Sequence, residues 1–119
     1  MRKPAQLLLA ASAIAMMLGT TMLPATAVAA SAEEGKKIAE DRKKGNCVSC
    51  HFYQGAEMAG TPGPAFVAMK DRFPDRAKLA AQISDPTKAN PNTLMPPFGK
   101  HGILKPDEID AIVEWLYTL

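Results

Sequence analysis

The chain has 119 residues with 14 basic and 12 acidic side chains, and its formal net charge is +2. This near balance gives no indication of a nucleic-acid-binding protein. The chain contains only two cysteines, and they lie three positions apart.

The first thirty residues predict a secretory signal peptide. Arg2 and Lys3 form a short positive region, residues 7–23 are mostly apolar, and Ala27–Ala30 is a run of small residues suited to cleavage. An uncleaved membrane anchor is the alternative, because the apolar run is nearly long enough to span a bilayer. Cleavage at the end of the small-residue run leaves 89 of the 119 residues as a single domain, residues 31–119, in the periplasm. In a domain of this size, a hydrophobic core alone supplies only marginal stability.

The exported part is predicted to begin with a helix from Glu33 to Lys44. Acidic residues in its first turn and basic residues at positions 42–44 complement the helix dipole. Gly45 and the following asparagine provide a stop. Gly35 lies on the thin apolar face, which favours the close approach of a second helix.

Directly after this helix comes the segment Cys47-Val48-Ser49-Cys50-His51. This spacing is typical of the covalent attachment of a c-type haem, in which each thiol adds to one vinyl group and the histidine binds iron. A thiol redox motif would be expected at the start of a helix that follows a strand, and no strand pattern precedes Cys47. A structural zinc site needs four ligands. The remaining candidates are His51 and His101, and His51 lies too close to Cys50 to bind the same ion comfortably. The segment therefore predicts one covalent haem c, with His51 on its proximal side.

Residues 52–63 are predicted to form a loop, because glycine recurs through them and Pro62 interrupts them. A loop at this point can follow the proximal edge of the haem. The Nδ1–H of His51 needs a hydrogen-bond acceptor, and the backbone carbonyl of Pro64 is the candidate. An ordinary turn proline would explain Pro64 equally well.

Two helices are predicted next, a short one from Pro64 to Phe73 and a second from Asp75 to Ser84, and Pro74-Asp75 is expected to end the first and cap the second. In the second helix, a leucine at position 79 and an isoleucine at position 83 lie four residues apart and predict a face turned to the core.

Residues 86–104 are predicted to form a long loop rich in proline, asparagine and glycine, and such a loop in a small domain is usually functional. Methionine is one sixth ligand for iron that is bound by a histidine, and it raises the reduction potential. Met95 is the candidate, because the two prolines after it fix the direction of the chain. Met58 follows the proximal histidine too closely to reach the opposite side, and Met69 falls within a helical pattern. His101 is the alternative sixth ligand.

A last helix is predicted from Pro106 to Leu119. Proline suits its first position and two acidic residues follow. This helix is expected to cross the first one at Gly35. Because no strand pattern occurs in the chain, the predicted fold is all-α, with about four helices packed around one covalently attached haem.

The order of these features resembles class I cytochromes c over the whole of residues 31–119. A closer resemblance is to the SoxX family, the monohaem subunits of SoxAX complexes in bacterial thiosulfate oxidation. The segments that carry it are Lys43–Cys47, Asp75–Ala77, Gln82–Thr87, Asn90-Pro91, Ile109–Tyr117 and, most specifically, Met95-Pro96-Pro97-Phe98-Gly99-Lys100-His101-Gly102-Ile103-Leu104.

The resemblance implies that Cys47 and Cys50 bind the haem covalently and that His51 and Met95 are its axial ligands. It further implies a heterodimer with a haem-containing SoxA-like subunit. That complex, an L-cysteine S-thiosulfotransferase, joins thiosulfate oxidatively to a cysteine of the carrier protein SoxYZ. In this family the X subunit passes electrons to a soluble cytochrome c and contributes no catalytic residue of its own.

A freely diffusing electron carrier is the alternative function, since it would need the same haem site. A subunit should bury apolar surface near the haem edge, and Phe98 with the Pro96-Pro97 turn is the expected contact. No nucleic acid is expected as a partner, and no membrane once the signal is cleaved.

Overall fold

A computed structural model describes residues 25–119 of the chain, and this range is helical with no strand. Its four α-helices are α1 (Ala25–Glu40), α2 (Met69–Arg72), α3 (Arg76–Ser84) and α4 (Pro106–Leu116), with short 3-10 turns at Cys47–Ser49 and Pro86–Lys88. The predicted all-α class is confirmed. Residues 1–24, most of the predicted signal peptide, lie outside the described residues. Within residues 25–119 no helix combines the length and the apolar character needed to cross a bilayer.

The crossing of α1 and α4 is the main packing contact, and it occurs at Gly35 as predicted. A Cβ atom at Gly35 would overlap the backbone carbonyl of Ala111, so only a hydrogen at this position lets the two backbones meet. Ile38 and Ala39 of α1 are buried beside the crossing. The α4 helix contributes more buried residues to the core than any other helix: Ile109, Ala111, Ile112, Val113, Trp115 and Leu116.

Ion pairs tie the other segments to α4. Lys44 forms an ion pair with Glu108 in the first turn of α4. Arg76, the first residue of α3, pairs with Glu114 at 2.6 Å and with Asp110 at 3.3 Å. These contacts hold α3 and the turn after α1 against the same helix.

The end predicted for α1 is wrong by four residues, because the helix ends at Glu40 and not at Lys44. Asp41 starts a turn at this point. Its carboxylate accepts from the backbone N–H of Lys43 at 2.8 Å, and its carbonyl accepts from Lys44 and Asn46 at 3.0 Å. The basic residues at positions 42–44 therefore lie in this turn and not in the helix.

The helix predicted from Pro64 to Phe73 is reduced to α2, which starts only at Met69. The carbonyl of Pro64 bonds to His51, and the N–H of Phe66 donates to the carbonyl of Phe52 at 2.7 Å. Backbone groups committed to these partners cannot join a helical ladder.

The helix predicted over residues 75–84 is confirmed as α3. The carboxylate of Asp75 caps it by accepting from the N–H groups of Ala77 and Lys78, and Leu79 and Ile83 are buried.

The end predicted for α4 is also wrong, because the helix stops at Leu116 and the last three residues turn away. The carbonyl of Leu119 accepts from the N–H of Met69 at 3.1 Å. The C-terminal residue thus caps α2 and does not extend α4.

Candidate functional site

The segment Cys47–His51 forms a tight turn whose side chains reach one cavity. Asn46, with a left-handed φ of 47°, starts the turn, and the N–H groups of Cys50 and His51 both donate to the carbonyl of Cys47. No disulfide joins Cys47 and Cys50. One turn of chain therefore brings both thiols and the imidazole to the wall of the same space.

This cavity has a volume of about 730 Å³ and is lined by all four residues predicted for the site. A volume of this order is typical of sites for small molecules and cofactors. Its apolar wall comes from several elements: Phe66, Met69, Phe73, Leu79, Ile83, Phe98, Ile112 and Leu116. An apolar space with two thiols and an imidazole on its wall fits a large, flat, iron-containing ring held by thioethers.

The imidazole of His51 is oriented by the backbone. Its Nδ1 lies 2.7 Å from the carbonyl oxygen of Pro64, so this nitrogen carries the proton and donates it. The predicted hydrogen bond to Pro64 is confirmed. With Nδ1 protonated, Nε2 keeps its lone pair and is free to bind a metal.

Two further contacts at His51 were missed by sequence reasoning. A Cβ atom on Gly63 would lie 2.5–2.9 Å from three atoms of the imidazole ring, so glycine is needed for the backbone to pass the ring face. Phe66 stacks on the imidazole, with ring centroids 4.4 Å apart and planes 14° from parallel. The glycines and prolines of the preceding loop indicated a turn, but no sequence pattern identified Phe66 as a neighbour of His51.

The thiol of Cys47 is desolvated by its surroundings. This burial raises the pKa of Cys47 to about 11. Redox-active cysteines and cysteines that bind metal have lowered pKa values. The raised pKa of Cys47 is the opposite of what a thiol redox centre requires. Among residues 25–119 there is also no cluster of three or more histidine, cysteine or acidic side chains that could hold zinc.

Met95 reaches the cavity from the loop between α3 and α4. Its N–H donates to the hydroxyl of Thr93 at 3.1 Å. The loop is attached to the end of α3 because the N–H groups of Gly99 and Lys100 both donate to the carbonyl of Ser84, at 3.1 and 3.0 Å. These bonds hold the half-buried Met95 at the cavity wall.

The other candidate ligands are placed elsewhere. His101 is exposed and does not line the cavity, and Met58 is 71% exposed. Met69 is buried at the cavity wall, but its sulfur lies 3.5 Å from the guanidinium of Arg72. Of the two methionines that line the cavity, Met95 is the one for which no such contact to the sulfur occurs among the described residues.

Phe98 is not the surface residue that the sequence predicted. It is only 6% exposed and packs in the core, so it cannot meet a partner directly. The exposed apolar side chains beside the cavity are Leu94, at 91%, and Ile103, at 42%.

Comparisons with known proteins show which family the chain resembles. The cytochrome c family matches residues 32–119. A chain in the crystal structure of SoxXA from P. pantotrophus is 28% identical with a TM-score of 0.64, and the match covers 72% of this chain and 79% of that one. An uncharacterized lipoprotein of Aquifex aeolicus (strain VF5) is 36% identical over 76 residues, which cover 63% of this chain and 37% of the relative. The chain thus matches little more than a third of the length of that protein.

Proposed function

The chain belongs to the cytochrome c family and carries one covalent haem c, and we propose that it is the electron-transfer subunit of a heterodimeric complex of thiosulfate oxidation. In this complex a haem-containing SoxA-like subunit is the permanent partner. Thiosulfate is joined oxidatively to a cysteine of a sulfur-carrier protein of the SoxYZ type. The present chain accepts the electrons and passes them to a soluble cytochrome c.

The proposed roles at the haem follow from the side chains around the cavity. Cys47 and Cys50 would hold the haem through two thioether bonds, and His51 and Met95 would bind its iron. The haem, when bound, supplies an iron that gains and loses one electron. The hydrogen bond from His51 to Pro64 fixes the tautomer that can ligate. The neutral sulfur of Met95 favours the reduced iron and thereby raises the potential.

The apolar wall of the cavity serves the same electron transfer. Leu79, Ile83 and Ile112 are each at most 5% exposed, so little water reaches this side of the site. A rigid, dry surrounding changes little when the charge of the iron changes, and burial of this kind is one of the means by which a protein tunes a haem.

The observation that carries the subunit assignment is the likeness to a chain of the SoxXA structure over 72% of the present sequence. The resemblance of residues 95–104 to SoxX also supports it. Leu94 and Ile103, exposed at the cavity, are the apolar residues that a partner subunit would cover. The predicted signal over residues 1–30 and the covalent haem both support a periplasmic location, and the match to a lipoprotein is in keeping with a site outside the cytoplasm.

The test is purification of the untagged protein from its native host, followed by mass spectrometry of whatever co-elutes. We expect a second haem-staining chain in equal amount. A protein that is strictly monomeric under native conditions would instead support a diffusible carrier and refute the subunit role.

A matched pair of variants sharpens this test. Leu94→Asp places a charge on the exposed apolar surface beside the cavity and should release the partner. Val67→Asp places the same charge on another exposed residue, 60% accessible, that does not line the cavity, and it should leave the complex intact. Equal retention of the partner by both variants would show that Leu94 is not at the interface.

A further inference from the structure

The segment from Gly63 to Phe66 wraps closely around the imidazole of His51. The N–H of Gly63 donates to the carbonyl of Cys50 at 2.8 Å, and the N–H of Phe66 donates to the carbonyl of Phe52 at 2.7 Å. These two backbone bonds lie on either side of His51 in the sequence. They fix the backbone of this segment beside His51, so that the side chain of Phe66 lies against the imidazole.

Phe66 is itself held from the far side by the core. Trp115 of α4 meets it edge to face, with centroids 5.9 Å apart and planes 88° from parallel. Tyr53 meets Trp115 in the same way at 5.1 Å. Both of these outer rings are buried, at 4% and 3% exposure. The rings of His51, Phe66, Trp115 and Tyr53 thus form one continuous packed series from the site to α4.

A hydrogen bond alone does not fix the plane of a histidine ring. The bond from Nδ1 to Pro64 sets the direction in which Nδ1 points, but the second torsion of a histidine is soft. The ring can roll about the line through the hydrogen-bonded nitrogen at little cost. A second ring stacked on it, nearly parallel at 14°, blocks this roll because the stacked faces would collide.

We propose that Phe66 is a positioning residue that sets the plane of the His51 imidazole at the iron, and that Trp115 holds Phe66 in place from α4. This inference rests on the proposed ligation by His51. The orientation of the imidazole plane decides which iron orbital its π system meets, so outer contacts of this kind tune the electronic state of the metal. The core of the protein, through α4, thereby controls the ligand geometry.

The test compares three holoproteins with the unaltered one by electron paramagnetic resonance of the oxidised iron. Phe66→Leu removes the stacked ring and keeps an apolar side chain. If Phe66→Leu yields no holoprotein, Phe66→Met replaces it in the comparison. Phe66→Tyr keeps the ring. Phe73→Leu is the matched control, because Phe73 is also half-buried and lines the same cavity but is not stacked on the imidazole.

We expect Phe66→Leu to shift and broaden the g-values, Phe66→Tyr to keep those of the unaltered protein, and Phe73→Leu to shift them by less than Phe66→Leu does. Chemical unfolding should show similar losses of stability for the two leucine variants, since each loses one aromatic ring from the core. Unshifted g-values in Phe66→Leu, or equal shifts in Phe73→Leu, would overturn the positioning role. A failure of the proposed ligation is distinguishable, because it would appear in the unaltered holoprotein as a spectrum without histidine–methionine character.

Discussion

The two sides of the candidate haem site are held by different means. His51 is oriented by the carbonyl of Pro64, a neighbour in the same loop. Met95 is held from a distance, because its loop is bonded to the carbonyl of Ser84 at the end of α3. The proximal side therefore depends on local backbone geometry, whereas the distal side depends on α3 staying in place.

At the level of single residues, Met95→Ala is expected to leave the haem covalently attached but to lower its reduction potential. Axial ligands span about 0.8 V, so loss of the sulfur should lower the potential by on the order of 0.1 V or more. The iron should also become open to added cyanide or imidazole. Redox titration and the optical band of methionine-bound ferric iron provide the measurement.

Met58→Ala is the control for this substitution, since Met58 is 71% exposed and does not line the cavity. It should leave both the potential and the optical band unchanged. Persistence of the band in Met95→Ala would show that another group is the sixth ligand.

At the level of elements, Gly35→Ala should destabilise the holoprotein because the added methyl group would overlap the carbonyl of Ala111 in α4. Overpacking typically costs about 1–3 kcal/mol, and here the neighbour is backbone that cannot rotate away. The gain in helix propensity of about 1 kcal/mol from replacing glycine offsets only part of this. Unfolding in guanidinium measures the difference.

Glu34→Ala tests whether any change to this helix has the same effect. Glu34 is exposed on the same helix, and its replacement should change the free energy of unfolding by about 0.5 kcal/mol or less. If Gly35→Ala were as mild as this control, the close crossing of α1 and α4 would be wrong.

The start of α4 makes stability depend on pH through Glu108. Its carboxylate accepts the N–H of Lys105 at 2.9 Å and pairs with Lys44, and these contacts hold the pKa of Glu108 below its usual 4.5. A lowered pKa in the folded state means that the stabilisation is complete above pH 4.5. It is lost as the pH falls from 4.5 through the folded pKa.

Glu108→Gln should therefore be less stable than the unaltered protein near neutral pH, and the two should converge on acidification below 4.5. Guanidinium midpoints at a series of pH values measure this convergence. Asp107→Asn, an exposed neighbour in the same turn, is the control for the loss of one negative charge at this helix start. A constant difference between Glu108→Gln and the unaltered protein at all pH values would contradict the assignment.

What could be predicted from the sequence differs between elements for physical reasons. The crossing at Gly35 and the cap at Asp75 were predictable, because a single residue type carries the information in each case. The helix proposed from Pro64 was wrong because the carbonyl of Pro64 and the N–H of Phe66 bond to partners more than ten residues away. Tertiary hydrogen bonds of this kind override an apolar pattern, and the stacking of Phe66 on the imidazole was hidden for the same reason.

For the whole molecule, the cavity of about 730 Å³ replaces much of an ordinary core. Its wall includes Leu79 and Ile83 of α3 and Ile112 and Leu116 of α4. These four are packed in the core, but the half-buried aromatic and methionine side chains of the same wall would face water without a group in the cavity. A chain of this size is only marginally stable, so the bound haem should stabilise the folded state as well as supply the chemistry.

The double variant Cys47→Ser/Cys50→Ser should consequently lose cooperative folding along with its haem. We expect a broad thermal transition and fast amide exchange in α3, with the slowest exchange left at the crossing of Gly35 and Ala111, which the cavity does not interrupt. The Met95→Ala holoprotein is the control, because it loses one iron ligand yet keeps the haem in the cavity, and its transition should stay sharp. If the double variant unfolded as sharply as this control and at the same midpoint, the fold would be independent of the haem.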